Sequence, residues 1–139
     1  MTTGASDPGP SKPKRTKGLA HFFAAARYSR AGLFRVWKES AFRQEVAGGA
    51  LALIALIAVQ ASPGEVLGFV VLWLMLATVE TLNTALETLV DHLSPQSSEF
   101  ARDTKDLGSL AVALMITANT LYVLWVVLPS VRIAVTKII

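Results

Sequence analysis

Residues 66–87 read VLGFVVLWLMLATVETLNTALE, an uncharged apolar run that leads directly into polar residues. Counted from Glu80, the offsets of three, seven and eleven residues place Asn83, Glu87 and Asp91 on one narrow face of an α-helix. We call these four residues the polar stripe. Carboxylates at the edge of a bilayer are costly and tend to be functional. The pattern predicts a helix that leaves the membrane partway along and carries a site for a cation and a phosphorylated ligand.

The composition is that of a small membrane protein. The chain has 139 residues, of which 53% are hydrophobic, and this is too apolar for an ordinary soluble domain of its length. It contains no cysteine, which excludes thiol nucleophiles, disulfides and cysteine-ligated zinc. The net charge is +3, and nine of the thirteen Lys and Arg residues precede Val46.

Three apolar stretches predict three membrane-spanning helices, which we place at about residues 42–61, 65–91 and 106–128. A spanning helix needs about 20 mostly apolar residues, and each stretch approaches that length or keeps an apolar face beside the polar stripe. Pro63 and Gly64 predict a hairpin turn between the first two spans. Pro129 is expected to end the third span.

The residues before the first span divide into a tail and a helix. Residues 1–17 are rich in Pro, Ser, Thr, Gly and Lys, a composition typical of disorder. Residues 18–40 mix apolar and basic side chains at helical spacing, which predicts an amphipathic helix on the anionic surface of a membrane. A basic flank without chemistry is the alternative. Glu39 and Glu45 argue against that alternative, because acids are poorly placed beside anionic headgroups without a partner.

The distribution of Lys and Arg predicts the orientation. Basic residues precede the first span and recur as Arg102 and Lys105 before the third, whereas the hairpin turn has none. The N-terminus is therefore expected in the cytoplasm and the C-terminus outside, although Arg132 and Lys137 oppose this. A signal peptide is not expected, because many charges separate the basic tail from the first apolar run.

The polar residues fit phosphoryl transfer. That reaction needs a divalent cation on the phosphates, positive charge for the developing oxyanions and a base for the acceptor hydroxyl. Mg²⁺ prefers one or two carboxylates together with phosphate oxygens. Lys105 and the arginines supply positive charge, and the chain has neither a P-loop nor the motifs of protein kinases. The available carboxylates are Glu39, Glu80, Glu87, Asp91 and Asp106.

Other interpretations of these residues remain open at this point. Polar groups in membrane helices also hydrogen-bond to neighbouring helices, which would be the better interpretation of Asn83 alone. Coupled transporters use membrane carboxylates as well, but usually at mid-span, whereas Glu87 and Asp91 are expected at or beyond the membrane surface. Lys105 and Asp106, taken alone, also fit a polar loop in which the lysine snorkels.

Three separated motifs resemble the small integral-membrane prokaryotic diacylglycerol kinases, a family that includes undecaprenol kinases. They are Glu39-Ser-Ala-Phe-Arg-Gln-Glu45, Glu80-x-x-Asn83-x-x-x-Glu87-x-x-x-Asp91 and Lys105-Asp106-x-Gly108-Ser109. The resemblance covers roughly residues 19–128. It implies an all-α membrane protein with three transmembrane helices and an amphipathic surface helix, in which residues 18–129 form the kinase domain and residues 130–139 an extension. It also implies a homotrimer whose active sites are shared between neighbouring subunits.

The resemblance implies roles for individual residues. Glu80 matches the general base that acts on the lipid hydroxyl, and Glu39 and Glu87 match the ligands of the Mg²⁺ that bridges the ATP phosphates. Asp91 has no assigned role, and His21 stands where an arginine of the nucleotide site is common. The other nucleotide positions are Tyr28, Asn83, Ser97, Ser98, Lys105 and Asp106. The positions on the lipid side are Trp37, Phe42, Arg43, Glu45 and Ser109.

The physical chemistry of the stripe agrees with these roles. Glu80, nearest the membrane, is expected to be desolvated, which makes a carboxylate a better base. Glu87 lies two helical turns nearer the cytosol, where it can meet a soluble nucleotide. The resemblance therefore implies an ATP- and Mg²⁺-dependent lipid kinase of the bacterial inner membrane, and no nucleic-acid partner is expected. Phe-Arg-Gln-Glu45 resembles the branch that converts diacylglycerol to phosphatidic acid. The alternatives are an undecaprenol kinase and a small membrane assembly or proton-coupled transport subunit.

Overall fold

The structure, a computed structural model, describes residues 18–96 and 98–136. These residues form four α-helices joined by short connections and contain no strand, which confirms the predicted all-α fold. The predicted tail at 1–17 and the last three residues of the predicted extension lie outside the described residues. The helices are α1 (Leu19–Val36), α2 (Ser40–Ala58), α3 (Pro63–Leu93) and α4 (Glu99–Thr136).

The chain divides into one unit that ends at Phe34 and another that begins at Arg35. The first unit contains most of α1. Its aromatic side chains are exposed. The guanidinium group of Arg27 lies 5.7 Å from the ring centre of Tyr28, and that of Arg30 lies 5.7 Å from the ring centre of Phe34. Exposed rings beside basic side chains suit a helix that lies on a membrane surface.

Three helices in the described part of the chain are long and apolar enough to cross a membrane. They are α2, α3 and the Glu99–Ser130 part of α4. This confirms the number of spans that the sequence predicts. Many of their large apolar side chains are exposed, as expected where lipid or another subunit covers them.

The turn between α2 and α3 comes earlier in the chain than the predicted spans place it, because α2 ends at Ala58 and Pro63 begins α3. Proline is well tolerated at the first helical position, where its missing N–H would lack a partner in any case. Ser62 and Glu65 form a capping box: the Ser62 N–H donates to Glu65 Oε2 at 2.7 Å, and the Glu65 N–H donates to Ser62 Oγ at 3.4 Å. These bonds fix the start of α3.

Both ends of α4 also extend beyond the predicted span. The helix begins at Glu99, where Ser98 Oγ accepts a bond from the Ala101 N–H at 3.1 Å. Pro129 does not end α4, which continues through this residue to Thr136, although the part of α4 that is long and apolar enough to cross a membrane ends at Ser130. Proline removes one hydrogen bond from a helix, and membrane helices tolerate this loss where the freed carbonyl finds other partners.

The three spanning helices meet in a small apolar core. It contains Leu56 from α2, Phe69 from α3 and Val126 from α4, all buried. Two hydrogen bonds also join α4 to α3: the Asn119 amide donates to the Leu72 carbonyl at 3.2 Å, and the Tyr122 hydroxyl donates to the Glu65 carbonyl at 2.9 Å. Such contacts matter in a membrane, because lipid tails remove the hydrophobic drive for helix association.

Candidate active site

The polar stripe lies along the C-terminal half of α3 and changes in burial from one end to the other. Glu80 is 4% exposed and Asn83 is 9% exposed. Glu87 is half-buried and Asp91 is exposed. The stripe thus runs from the buried carboxylate of Glu80 to the exposed carboxylate of Asp91.

Three other glutamates lie within electrostatic range of Glu80, at the buried end of this stripe. Glu80 is within electrostatic range of Glu87 on its own helix and of Glu39, which precedes the first turn of α2. Glu45, one turn into α2, is within range of Glu80 as well. Like charges at short range repel each other, and a bound cation among them removes that repulsion. The arrangement favours a site that takes a cation.

Asn83 contacts both Glu87 on its own helix and Gly108 on α4. The Asn83 amide nitrogen donates to Glu87 Oε1 at 3.0 Å. On the opposite side, the Asn83 amide oxygen packs against Gly108 of α4, where any Cβ atom would overlap it. This oxygen is buried and has no hydrogen-bond partner among the described residues. The glycine of the third motif therefore allows α4 to approach the stripe closely.

Asp91, which the sequence leaves without a role, pairs with Lys105. The Lys105 ammonium lies 2.5 Å from Asp91 Oδ1, and both side chains are partly exposed. An exposed ion pair contributes about 0–1 kcal/mol to stability. The main effect of this pair is therefore to fix the position of the Lys105 ammonium group. The pair joins the end of α3 to the start of α4, beside the exposed Asp106.

Glu39 is held by the turn between α1 and α2. Its carboxylate pairs with Arg35, and it makes no capping hydrogen bond to α2. Arg43 braces the same turn, because it donates to the carbonyls of Trp37 at 3.1 Å and Lys38 at 2.8 Å. The arginine that the sequence assigns to the lipid side thus also fixes the backbone that carries Glu39.

The remaining predicted residues fall in several places. Trp37 is exposed and contacts the buried Phe42 edge to face, with ring centres 6.1 Å apart. Ser109 is exposed on α4, and Ser98 caps that helix. Tyr28 is exposed and belongs to the unit that ends at Phe34. Ser97 lies outside the described residues.

The donor set fits Mg²⁺ that is bound together with a nucleotide. Within residues 18–96 and 98–136, no three His, Asp or Glu side chains are grouped so that they could hold a metal ion by themselves. Mg²⁺ often takes only one or two carboxylates and completes its shell with phosphate oxygens and water. Glu39 and Glu87, which both lie near Glu80, are such a pair.

A cavity of about 470 Å³ lies between α2, α3 and α4, and the sequence does not predict it. Glu45 lines one part of it, and the other lining residues are mostly apolar. Its volume is typical of small-molecule sites. The sequence signal that could have indicated it is the pair Gly48-Gly49 within an apolar span, together with the bulky Trp73 on the next helix.

Comparison with known proteins identifies the family. Residues 27–128 match the family described as prokaryotic diacylglycerol kinase, and this range contains all three motifs. The chain belongs to the prokaryotic diacylglycerol kinase family. The predicted resemblance is confirmed, and the protein is an enzyme of the kinase class.

Relatives from several bacteria carry the name diacylglycerol kinase. The protein from Sinorhizobium sp is 41% identical over 115 residues, which cover 83% of this chain and 84% of the relative. That from Escherichia coli is 39% identical over 106 residues, or 73% of this chain and 84% of the relative. The protein from Pseudomonas aeruginosa is 32% identical over 112 residues, which cover 80% of this chain and 91% of the relative.

Replacing Gly108 with Ala should lower kinase turnover while the protein still folds. The added methyl group would displace the Asn83 amide and with it Glu87, and a misplacement of about 1 Å at such a site costs about 100-fold in rate. Turnover in lipid, with folding checked by circular dichroism, measures this. Gly64→Ala is the matched control, because nothing surrounds the position of its Cβ. Unchanged turnover in Gly108→Ala would show that the close approach does not matter.

Proposed function

We propose that this kinase transfers the γ-phosphoryl group of ATP to the free hydroxyl of diacylglycerol and so makes phosphatidic acid. The observation that carries the proposal is the buried Glu80 with Glu39 and Glu87 in electrostatic range. One carboxylate can then act on the acceptor while the other two serve the nucleotide. The names of the relatives support the same reaction.

Glu80 is the group that we assign to the proton of the acceptor. It takes the proton of the lipid hydroxyl as the oxygen attacks the γ-phosphorus, and the bond to the bridging oxygen of ADP breaks. Its burial suits this role, because a desolvated carboxylate accepts a proton more readily. Among the described residues Glu80 has no ion-pair partner that would compete for its charge.

Glu39 and Glu87 are the residues that we assign to Mg²⁺. The ion would neutralise charge on the β- and γ-phosphates. Asn83 fixes the position of Glu87, and Arg35 fixes that of Glu39. Lys105, which is paired with Asp91, would bring positive charge to the phosphates if its ammonium group donated hydrogen bonds to both or turned away from Asp91.

The proposed setting is the bacterial inner membrane, with the N-terminus in the cytoplasm and the C-terminus outside. The basic residues before α2 and around the start of α4 support this orientation. It places Glu87 and Lys105 on the side where ATP is available. We also propose a homotrimer with shared sites, which would cover part of the exposed apolar surface of α2, α3 and α4.

Diacylglycerol is the acceptor that we favour over undecaprenol. The motif from Phe42 to Glu45 supports this choice, because it resembles the diacylglycerol-using branch of the family. Glu45 also lines the cavity and is within electrostatic range of Glu80. An acyl chain of the acceptor could therefore occupy the cavity while the hydroxyl of the same molecule lies near Glu80.

Glu80→Gln should abolish most transfer to diacylglycerol but leave nucleotide binding intact. The amide has the same shape and cannot accept the proton, and loss of a general base typically costs about 10²–10⁴-fold in rate. Transfer of labelled γ-phosphate in lipid and binding of ATP are both measured. Glu65→Gln is the control, since Glu65 belongs to the capping box at the other end of α3. Full activity in Glu80→Gln would refute the assignment of the base.

Glu39→Gln and Glu87→Gln should each raise the concentration of Mg²⁺ that half-maximal activity requires. Removal of one carboxylate ligand is expected to lower the affinity for the metal by about 10-fold or more, because loss of a residue that only hydrogen-bonds to a ligand already costs about that much. The test is a Mg²⁺ titration at fixed ATP, with Glu99→Gln, at the exposed start of α4, as the control. A titration that matches the unmodified protein would remove the metal role.

A further inference from the structure

We infer that Trp73, seated on the backbone at Gly49, determines which acyl chains the lipid acceptor can present to the enzyme. The inference rests on the proposed function, because it takes the cavity between α2, α3 and α4 as the place of an acyl chain of the acceptor. It adds a residue that selects among substrates and that takes no part in the chemistry.

The cavity has the polarity of a site for a lipid tail. Gln44 and Glu45 line the end where Glu45 is within electrostatic range of Glu80, Asn119 and Thr120 add polar groups on α4, and most of the remaining lining is apolar. The cavity then continues between the spans to Val123 and Leu124 on α4. A molecule with a hydroxyl at one end and an apolar chain at the other would meet the carboxylates with the first and the cavity with the second.

Trp73 closes the cavity between α2 and α3. A Cβ atom at residue 49 would overlap the indole ring, so the ring lies directly against the α2 backbone. The same ring stacks on Phe69, with ring centres 6.1 Å apart and planes inclined by 17°. The indole therefore has little freedom to move aside, and it forms a fixed wall of the cavity.

The other sides of the cavity differ from this one. Between α3 and α4, the bond from Asn119 to the Leu72 carbonyl holds the helices together at 3.2 Å. The helices α2 and α4 contact each other least among the three spans. A chain would then enter between α2 and α4 and rest against Trp73.

The position of Trp73 along α3 gives the depth at which it acts. It precedes Glu80 by seven residues, or about 10 Å along the helix axis. A chain that moves from bilayer to cavity gains no hydrophobic energy, because both are apolar. Selection then depends on fit: a chain that meets the indole is excluded, and a chain that leaves a void loses contacts.

Replacing Trp73 with Leu in the full-length protein should shift substrate preference toward long chains. The measured quantity is the ratio of kcat/KM for dioleoylglycerol to that for dioctanoylglycerol, obtained with both acceptors in one reaction in bilayers of fixed composition. The ratio is expected to rise about threefold or more, because the longer chain would make about five additional carbon–carbon contacts with the enlarged cavity. The ratio does not depend on the fraction of protein that is active.

Gly49→Ala should shift the same ratio in the opposite direction, because its methyl group pushes the indole into the cavity. Trp125→Leu is the matched control, since Trp125 is exposed on α4 and does not line the cavity. If Trp73→Leu fails to fold, Trp73→Phe tests the same wall with a smaller ring.

An unchanged ratio in the Trp73 variants overturns the inference, as does an equal shift in Trp125→Leu. An altered assembly of subunits with an unchanged ratio also overturns it and would show that a second copy covers the cavity. If the unmodified protein phosphorylates neither diacylglycerol, the proposed function itself fails, so the two failures are distinguishable.

Discussion

Three neighbouring glutamates repel the buried carboxylate of Glu80, and the contacts around the site must offset that repulsion. Glu80 on α3 interacts electrostatically with Glu87 on the same helix, with Glu45 on α2 and with Glu39, which precedes α2. Such a cluster does not hold itself together. It persists because neighbouring groups orient the carboxylates and because the helices are fixed elsewhere, by the core at Leu56, Phe69 and Val126 and by hydrogen bonds from α4 to α3.

Two glycines allow the closest approaches around this cluster. Gly108 admits the Asn83 amide beside the carboxylates, and Gly49 admits the Trp73 indole beside the cavity. The first contact positions the residues that we assign to the phosphates. The second shapes the space that we assign to the lipid tail. In both places a side chain packs against the backbone of a glycine, beside the nucleotide in the first case and beside the tail of the acceptor in the second.

The parts of the fold that the sequence predicts are those that depend on local pattern. Apolar runs indicate three spans because membrane helices satisfy their own backbone groups, and the helical period places Glu80 and Glu87 on one face. The start of α3 at Pro63 and the passage of α4 through Pro129 differ from expectation, because proline is compatible with both a helix start and a membrane helix. The pairing of Asp91 with Lys105 and the cavity at Trp73 depend on packing between helices that no single segment encodes.

We propose that Glu80 and the glutamates around it serve ATP-dependent phosphorylation of diacylglycerol. A competition between diacylglycerol and undecaprenol, with γ-labelled ATP and purified protein in one bilayer, tests it most directly. We expect the label in phosphatidic acid and expect this transfer to require Mg²⁺. Label in undecaprenyl phosphate would contradict the choice of acceptor, and the absence of label from both lipids would show that the protein is not a kinase of either one.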